Sequence, residues 1–400
     1  MGGKEWTPLY ADHVVSDRDI ISLGSIKLQA WHTPGHTPEH VIWVVFNEKR
    51  SSSVPEFVFT GDLIFVGSVG RPDLLGPKAE EVLAKQLYET LFKSLHSLPD
   101  FVEIYPAHGA GSLCGKAIGS NLSSTFGYEK RSNPGLVSQP YDQWLKGLHE
   151  DMPPAPAYFK QMKKVNVTGP NLTDHEEMPL VLTNEQVKNH LTSSVFIDIR
   201  RPEQFAAGHI RGAINIPLTP SFVQWAGIAL PVEQQLRDCA KLNCTVDQPR
   251  ELSLSSTGQV NFAKSLIIVT DTPSVILHVV NALKLIGFDD ILGFVDITHV
   301  STDLLKPSPM IEGSTLLSNK ENYYILDVRT QKEWDKGHVP GAHHLELTKA
   351  PQALGSIPKG KPIVVMCHSG NRASIVASLL EKEGREGIYN LKNGIKALNY

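Results

Sequence analysis

Ile363-Val364-Val365-Met366-Cys367-His368-Ser369-Gly370-Asn371-Arg372 is the stretch that decides the fold. Four apolar residues, three of them β-branched, read as a buried strand that runs into a Gly-containing loop. Ala373 to Glu383 carries a helical pattern, so the unit is strand, loop, helix. Consecutive backbone N–H groups in such a loop, together with a helix N-terminus, form a cradle for negative charge. His368, Ser369, Gly370 and Asn371 supply that anion-binding loop. A cysteine seated in the cradle is expected to ionise readily, and the thiolate is the reactive form. Arg372 adds a guanidinium able to grip an anion through paired hydrogen bonds. A buried core cysteine is the plainer alternative, but the Gly, Ser, Asn and Arg behind Cys367 argue for chemistry.

The loop resembles the active-site loop of rhodanese-type sulfurtransferases, which carry sulfur as a cysteine persulfide. Ile325-Leu326-Asp327-Val328-Arg329, Glu333-Trp334 and Gly337-His338-Val339-Pro340-Gly341-Ala342 support the likeness. The resemblance implies that Cys367 and Arg372 are catalytic and that residues 312–400 form an active rhodanese domain. Arg372 stands five positions after Cys367. Phosphatases of related shape have a loop one residue longer, so a small-anion phosphatase is disfavoured.

An earlier segment repeats this pattern. Phe196-Ile197-Asp198-Ile199-Arg200 and Gly208-His209-Ile210-Arg211-Gly212-Ala213 precede their later counterparts by 129 positions, Asp198 to Asp327 and His209 to His338. Leu266-Ile267-Ile268-Val269 matches Ile363–Met366 at an offset of 97. In that register Thr270 stands opposite Cys367 and Val275 opposite Arg372. The middle copy, residues 181–300, therefore reads as a rhodanese-like domain without its nucleophile and as a structural element. Its extra stretch, Pro217 to Phe262, reads as an insertion.

Three punctuated segments stand out in the first third: His32-Thr33-Pro34-Gly35-His36-Thr37-Pro38-Glu39-His40, Phe57-Val58-Phe59-Thr60-Gly61-Asp62, and Tyr105-Pro106-Ala107-His108-Gly109. Each sets His or Asp in a Gly- or Pro-containing loop beside an apolar strand, where rigid scaffolds present metal ligands. Pro34 and Pro38 forbid a helix through the three histidines of the first segment.

The order of these segments resembles the second half of the metallo-β-lactamase fold. The resemblance implies His36 and Asp62 as metal ligands, with His108 at or near the metal. Gly70-Arg71-Pro72-Asp73 and His108-Gly109-Ala110-Gly111-Ser112-Leu113-Cys114-Gly115 resemble the persulfide dioxygenase branch, which implies Fe(II) and makes Arg71 and Cys114 candidates for the substrate site. Zinc, as in thioester hydrolases of the glyoxalase II type, is the alternative. The His-x-His-x-Asp-His motif of that fold, which carries a third iron ligand, does not occur in the sequence. Asp12-His13 matches only its last two residues and reads as a strand-end pair. The expectation is a half-domain (a fragment, a misplaced start or a decayed domain) with weak metal binding, an exposed edge strand and self-association through it.

The expected fold class is thus α/β and multidomain. Residues 1–150 are expected to form the C-terminal half of a metallo-β-lactamase αββα domain, and 151–180 a linker. Two rhodanese-like domains with central parallel sheets are expected to follow. The chain has 400 residues, 41% of them hydrophobic, and a net charge of -4. That balance leaves no basic footprint for nucleic acid, and no apolar run is long enough for a membrane span. Cys114, Cys239, Cys244 and Cys367 are too few and too scattered for a disulfide framework, so a cytoplasmic setting is expected. The resemblance implies a thiol persulfide, thiosulfate or sulfite as small-molecule partners. Three readings stay open: persulfide dioxygenase with sulfurtransferase, zinc thioester hydrolase with an appended rhodanese domain, and a metal-free interaction scaffold that presents one.

Overall fold

The computed structural model describes residues 10–150, 152, 155–156, 158–169, 178–230 and 265–398. Cys239, Cys244 and most of the expected insertion lie outside these residues. The chain separates into two compact units. One comprises the residues up to Ala155 with Lys163–Gly169, and the other Pro156–Met162 with the residues from Pro170 onward. The stretch read as a linker holds a helix, Phe159–Thr168, and the division falls within it.

The first unit is built on a six-stranded mixed sheet. Strands β1 (Ile20–Leu23), β2 (Ile26–His32), β3 (Val41–Asn47) and β4 (Phe57–Gly61) run antiparallel in turn. Between β4 and the next sheet strand lies a two-stranded ribbon, β5 (Ile64–Phe65) with β6 (Ser68–Val69). β7 (Glu103–Pro106) then pairs parallel with β4, and β8 (Ser124–Thr125) closes the far edge. Alternation along the strands decides the faces. Ile42, Val44, Val58 and Ile104 pack with Leu87 and Leu91 of the helix Pro77–Phe92. Trp43, Phe59 and Tyr105 pair in register on the opposite face, where Phe59 and Tyr105 are exposed. β1 lies at the edge of the sheet, and all four of its residues are exposed. Asp12 and His13 fall in irregular backbone ahead of β1 and not at a strand end, because among the described residues no strand forms before Ile20.

The second unit holds two parallel sheets. The first joins Val195–Asp198, Ile214–Asn215, Leu266–Thr270 and Ile291–Asp296. The second joins Met310–Ile311, Tyr324–Asp327, His343–His344, Ile363–Met366 and Ile388–Leu391. Central strands such as Leu266–Thr270 and Ile363–Met366 are buried throughout, as continuous apolar runs in parallel sheets are. The α/β class with parallel sheets read from the sequence is what forms. One face of each sheet feeds a common core: Ile197 and Ile268 from the first join Leu326 and Val365 from the second. The helix Asn371–Lys382 packs into that core.

Candidate functional site

Both sheets of the second unit carry the same internal clamp. Asp327 is fully buried, and Arg329 grips it from Nε and Nη2 while donating again to the Gly337 carbonyl at 2.8 Å. Asp198, Arg200 and Gly208 repeat that geometry, with Nη2 also 2.8 Å from the Gly208 carbonyl. These are the repeated sequence positions, now seen as the buried ion pair that ties each strand to the turn after its next helix.

At the end of Ile363–Met366, Cys367 is only 1% exposed. The Gly370 N–H donates to its Sγ at 3.1 Å. Gly370 has φ +97, a left-handed conformation suited to glycine, and caps the helix Asn371–Lys382. His368 and Ser369 are exposed at the mouth of the loop, and Asn371 is half-buried. From behind, the Ile395 N–H donates to the Cys367 carbonyl at 2.8 Å. Gly394 leaves no room for a side chain there, since a Cβ would fall 2.4 Å from that carbonyl oxygen.

Arg372, expected to grip an anion, is already paired within the protein. Its guanidinium forms a paired contact with Glu333, Nη1 to Oε2 at 2.6 Å and Nη2 to Oε1 at 2.7 Å. Burial would push the Glu333 carboxyl up, but Arg372 and the Thr330 N–H outweigh it and hold it down to about 2. Next to Glu333, Trp334 stacks on His338 at 3.7 Å and on His344 at 4.9 Å. The middle copy keeps a relic of the arrangement. Gln204, 129 positions before Glu333, hydrogen-bonds Asp271, and Thr270 Oγ1 accepts from the Thr272 N–H at 3.0 Å. It has neither thiol nor guanidinium at those positions.

In the first unit, His36, Asp62 and Cys114 bring one donor atom each to within 4.8 Å of one another. His36 is buried and donates from Nδ1 to the Arg71 carbonyl at 3.0 Å. That leaves the Nε2 lone pair facing Asp62 Oδ2 at 3.2 Å. Two electron-pair donors so placed fit a cation between them, and a backbone acceptor that orients a ligand histidine is a common feature of metal sites. The other carboxylate oxygen, Oδ1, is 2.6 Å from His108 Nδ1. His108 therefore meets Asp62 but stands outside the three-donor group, whereas Cys114, expected at the substrate site, stands inside it. Asp62 is held well below the usual carboxylate range: burial would raise it, and the contact with His108 overcomes this. His108 is raised to about 10 by Asp62 and then by Cys114.

Two residues around the cluster gain roles the sequence did not reveal. His40 accepts the Asp62 N–H on Nε2 at 3.0 Å and pairs with Thr33 Oγ1 through Nδ1 at 2.8 Å. Burial, then the neighbouring His36, lowers it to about 4 and keeps it neutral. Gly70 lies so close to Asp62 that a Cβ would fall 1.9 Å from the Asp62 carbonyl oxygen. Arg71 corrects its expected place at the substrate site. It is 1% exposed, with Nε and Nη2 on Asp73 at 2.6 Å and Nη1 on the Leu113 carbonyl at 3.1 Å. With all three nitrogens engaged inside the protein, it braces two loops and does not reach solvent.

Comparison with known proteins agrees with both halves. A family model described as a rhodanese-like domain matches residues 183–243 and 314–399. A metallo-beta-lactamase crystal structure from Staphylococcus aureus subsp. aureus COL is similar at 31% identity and a TM-score of 0.57, over 73% of this chain and 74% of that one. The hydroxyacylglutathione hydrolase GloC of Haemophilus influenzae is 32% identical over 125 residues, 30% of this chain and 46% of GloC. A hydroxyacylglutathione hydrolase of Dictyostelium discoideum is 29% identical over 152 residues, 38% of this chain and 51% of that protein. The chain spans about half the length of the curated relatives it matches. Among the described residues, no helix is long and apolar enough to cross a membrane. With a metallo-β-lactamase-like unit followed by two rhodanese-like sheets, the chain belongs to the metallo-β-lactamase–rhodanese fusion family.

Proposed function

We propose that this protein transfers sulfane sulfur through a persulfide on Cys367. The observation that carries this reading is the thiol at the strand end, with the Gly370 N–H on its sulfur and a helix N-terminus behind it. The Cys367 thiolate attacks the outer sulfur of thiosulfate. A bond forms between Sγ and that sulfur, the sulfur–sulfur bond of thiosulfate breaks, and sulfite leaves with the electron pair. An acceptor thiolate then attacks the outer sulfur of the persulfide, and Cys367 leaves as thiolate. Loop N–H groups stabilise the negative charge in both steps.

His36 and Asp62 support a second activity of the first unit, for which they would hold a metal ion. A ferrous ion would supply oxygen activation for oxidising a thiol persulfide to sulfite, whereas zinc would supply water activation for thioester hydrolysis. In both cases His40 and Gly70 fix the carboxylate, and Arg71 fixes the imidazole tautomer.

The test is sulfite release from thiosulfate with a thiol acceptor, beside oxygen uptake with a thiol persulfide on iron-loaded protein. Cys367→Ser is expected to abolish the first and spare the second. Thiosulfate turnover that survives in Cys367→Ser would sink the persulfide assignment. Absence of both oxygen uptake and thioester hydrolysis would remove the second activity.

A further inference from the structure

We propose that Cys114 is a metal ligand, so that the first unit binds its ion through one nitrogen, one oxygen and one sulfur. This rests on the reading that the unit holds a metal, and goes beyond it by assigning a thiolate to the donor set.

The geometry that carries it is convergence. A ring nitrogen of His36, a carboxylate oxygen of Asp62 and Cys114 Sγ lie within 4.8 Å of one another, and Nε2 is the nitrogen that faces Asp62, at 3.2 Å. One residue sets two of the three. The Arg71 carbonyl accepts a hydrogen bond from His36 Nδ1, and the Arg71 N–H donates to the Cys114 carbonyl at 3.2 Å. Arg71 cannot drift, because Asp73 and the Leu113 carbonyl hold its side chain.

The turn that bears the thiol is fixed on both sides. Ser112 Oγ accepts the Cys114 N–H at 3.2 Å. Gly115 bridges to Gly70, and a Cβ on Gly115 would crowd Phe65 and Ser68 at 3.0 Å. Metal sites of high affinity are built from donors fixed in this way before the ion arrives.

Charge and softness agree. A thiolate and a carboxylate together balance a divalent ion, and the imidazole adds a neutral donor. A sulfur ligand favours thiophilic ions such as zinc, cobalt or ferrous iron over magnesium or calcium. Three protein donors also leave room for a substrate on the metal.

The experiment uses the full chain carrying Cys367→Ser, so that the rhodanese thiol is silent, titrated with Co(II). The expected result is visible ligand-field bands together with a near-ultraviolet thiolate-to-cobalt charge-transfer band. Adding Cys114→Ser is expected to remove the charge-transfer band and weaken cobalt binding by at least about tenfold. Circular dichroism confirms that the variant is folded, and Cys114→Asp, which restores an anionic donor, is expected to recover part of the affinity without the band. Cobalt that binds with ligand-field bands alone, or with a charge-transfer band that survives Cys114→Ser, overturns the thiolate ligand and leaves the metal reading standing. A protein that binds no cobalt overturns both.

Discussion

Arg372 and Glu333 face each other fork to fork, with both guanidinium–carboxylate hydrogen bonds at 2.7 Å or less. The charge that could draw an anion to Cys367 is thereby largely neutralised in the resting protein. An incoming donor anion must compete with Glu333 for it.

Glu333→Gln should release that competition. The expected effect is a lower KM for thiosulfate, on the order of tenfold or about 1.4 kcal/mol, read from sulfite release at varied thiosulfate. A raised KM would mean that the intact pair is itself the anion-recognition element.

The same pair makes stability depend on acid. Glu333 is held down to about 2 against an ordinary 4.5. A depressed carboxylate contributes stability that is fully present above its unfolded pKa and is lost as pH falls through the folded value. Wild type and Glu333→Gln should therefore differ in urea midpoint at neutral pH, with the gap closing between about pH 4.5 and pH 2. A gap unchanged at pH 2 would show that the pair contributes through packing alone.

Gly70→Ala tests the first unit. A methyl placed 1.9 Å from the Asp62 carbonyl and 3.1 Å from the His36 Cβ must push both aside. The expected cost is about 1–3 kcal/mol of stability, with metal affinity falling alongside. Retained metal binding would show that the loop yields without moving the donors.

Asn215→Ala tests the cysteine-free copy. Asn215 donates from Nδ2 to the Asp198 and Arg200 carbonyls at 2.9 Å, and its N–H donates to Ser378 Oγ at 3.0 Å. Ser374 Oγ donates in turn to its side-chain oxygen. Both serines lie on the helix that follows the Cys367 loop. Truncation strands several buried groups and should destabilise the unit by about 2 kcal/mol, seen in urea unfolding. A neutral effect would show that water replaces the amide.

Much of the architecture was legible because it is written in local patterns. Apolar runs at Leu266–Val269 and Ile363–Met366 gave parallel strands, and the repeated Asp and Arg at 198/200 and 327/329 gave two related sheets. What stayed hidden depends on which distant side chains meet. Arg372 and Glu333 lie 39 positions apart, and nothing at either position states that they pair. Gln204 standing in register with Glu333 was the available signal. Arg71 was placed at the substrate site by family resemblance, and only folding brings it against Asp73 and Leu113. Cys114 follows His108 in sequence, yet the fold groups its sulfur with His36 and Asp62.

Ile197 and Ile268 from one repeat share a core with Leu326 and Val365 from the other. Thr270 keeps its hydrogen bond within its own repeat, whereas Asn215 bonds Ser374 and Ser378 on the neighbour's helix. The cysteine-free repeat lends its neighbour a shape, and excising it would leave the other repeat with a raw apolar wall in place of its other half.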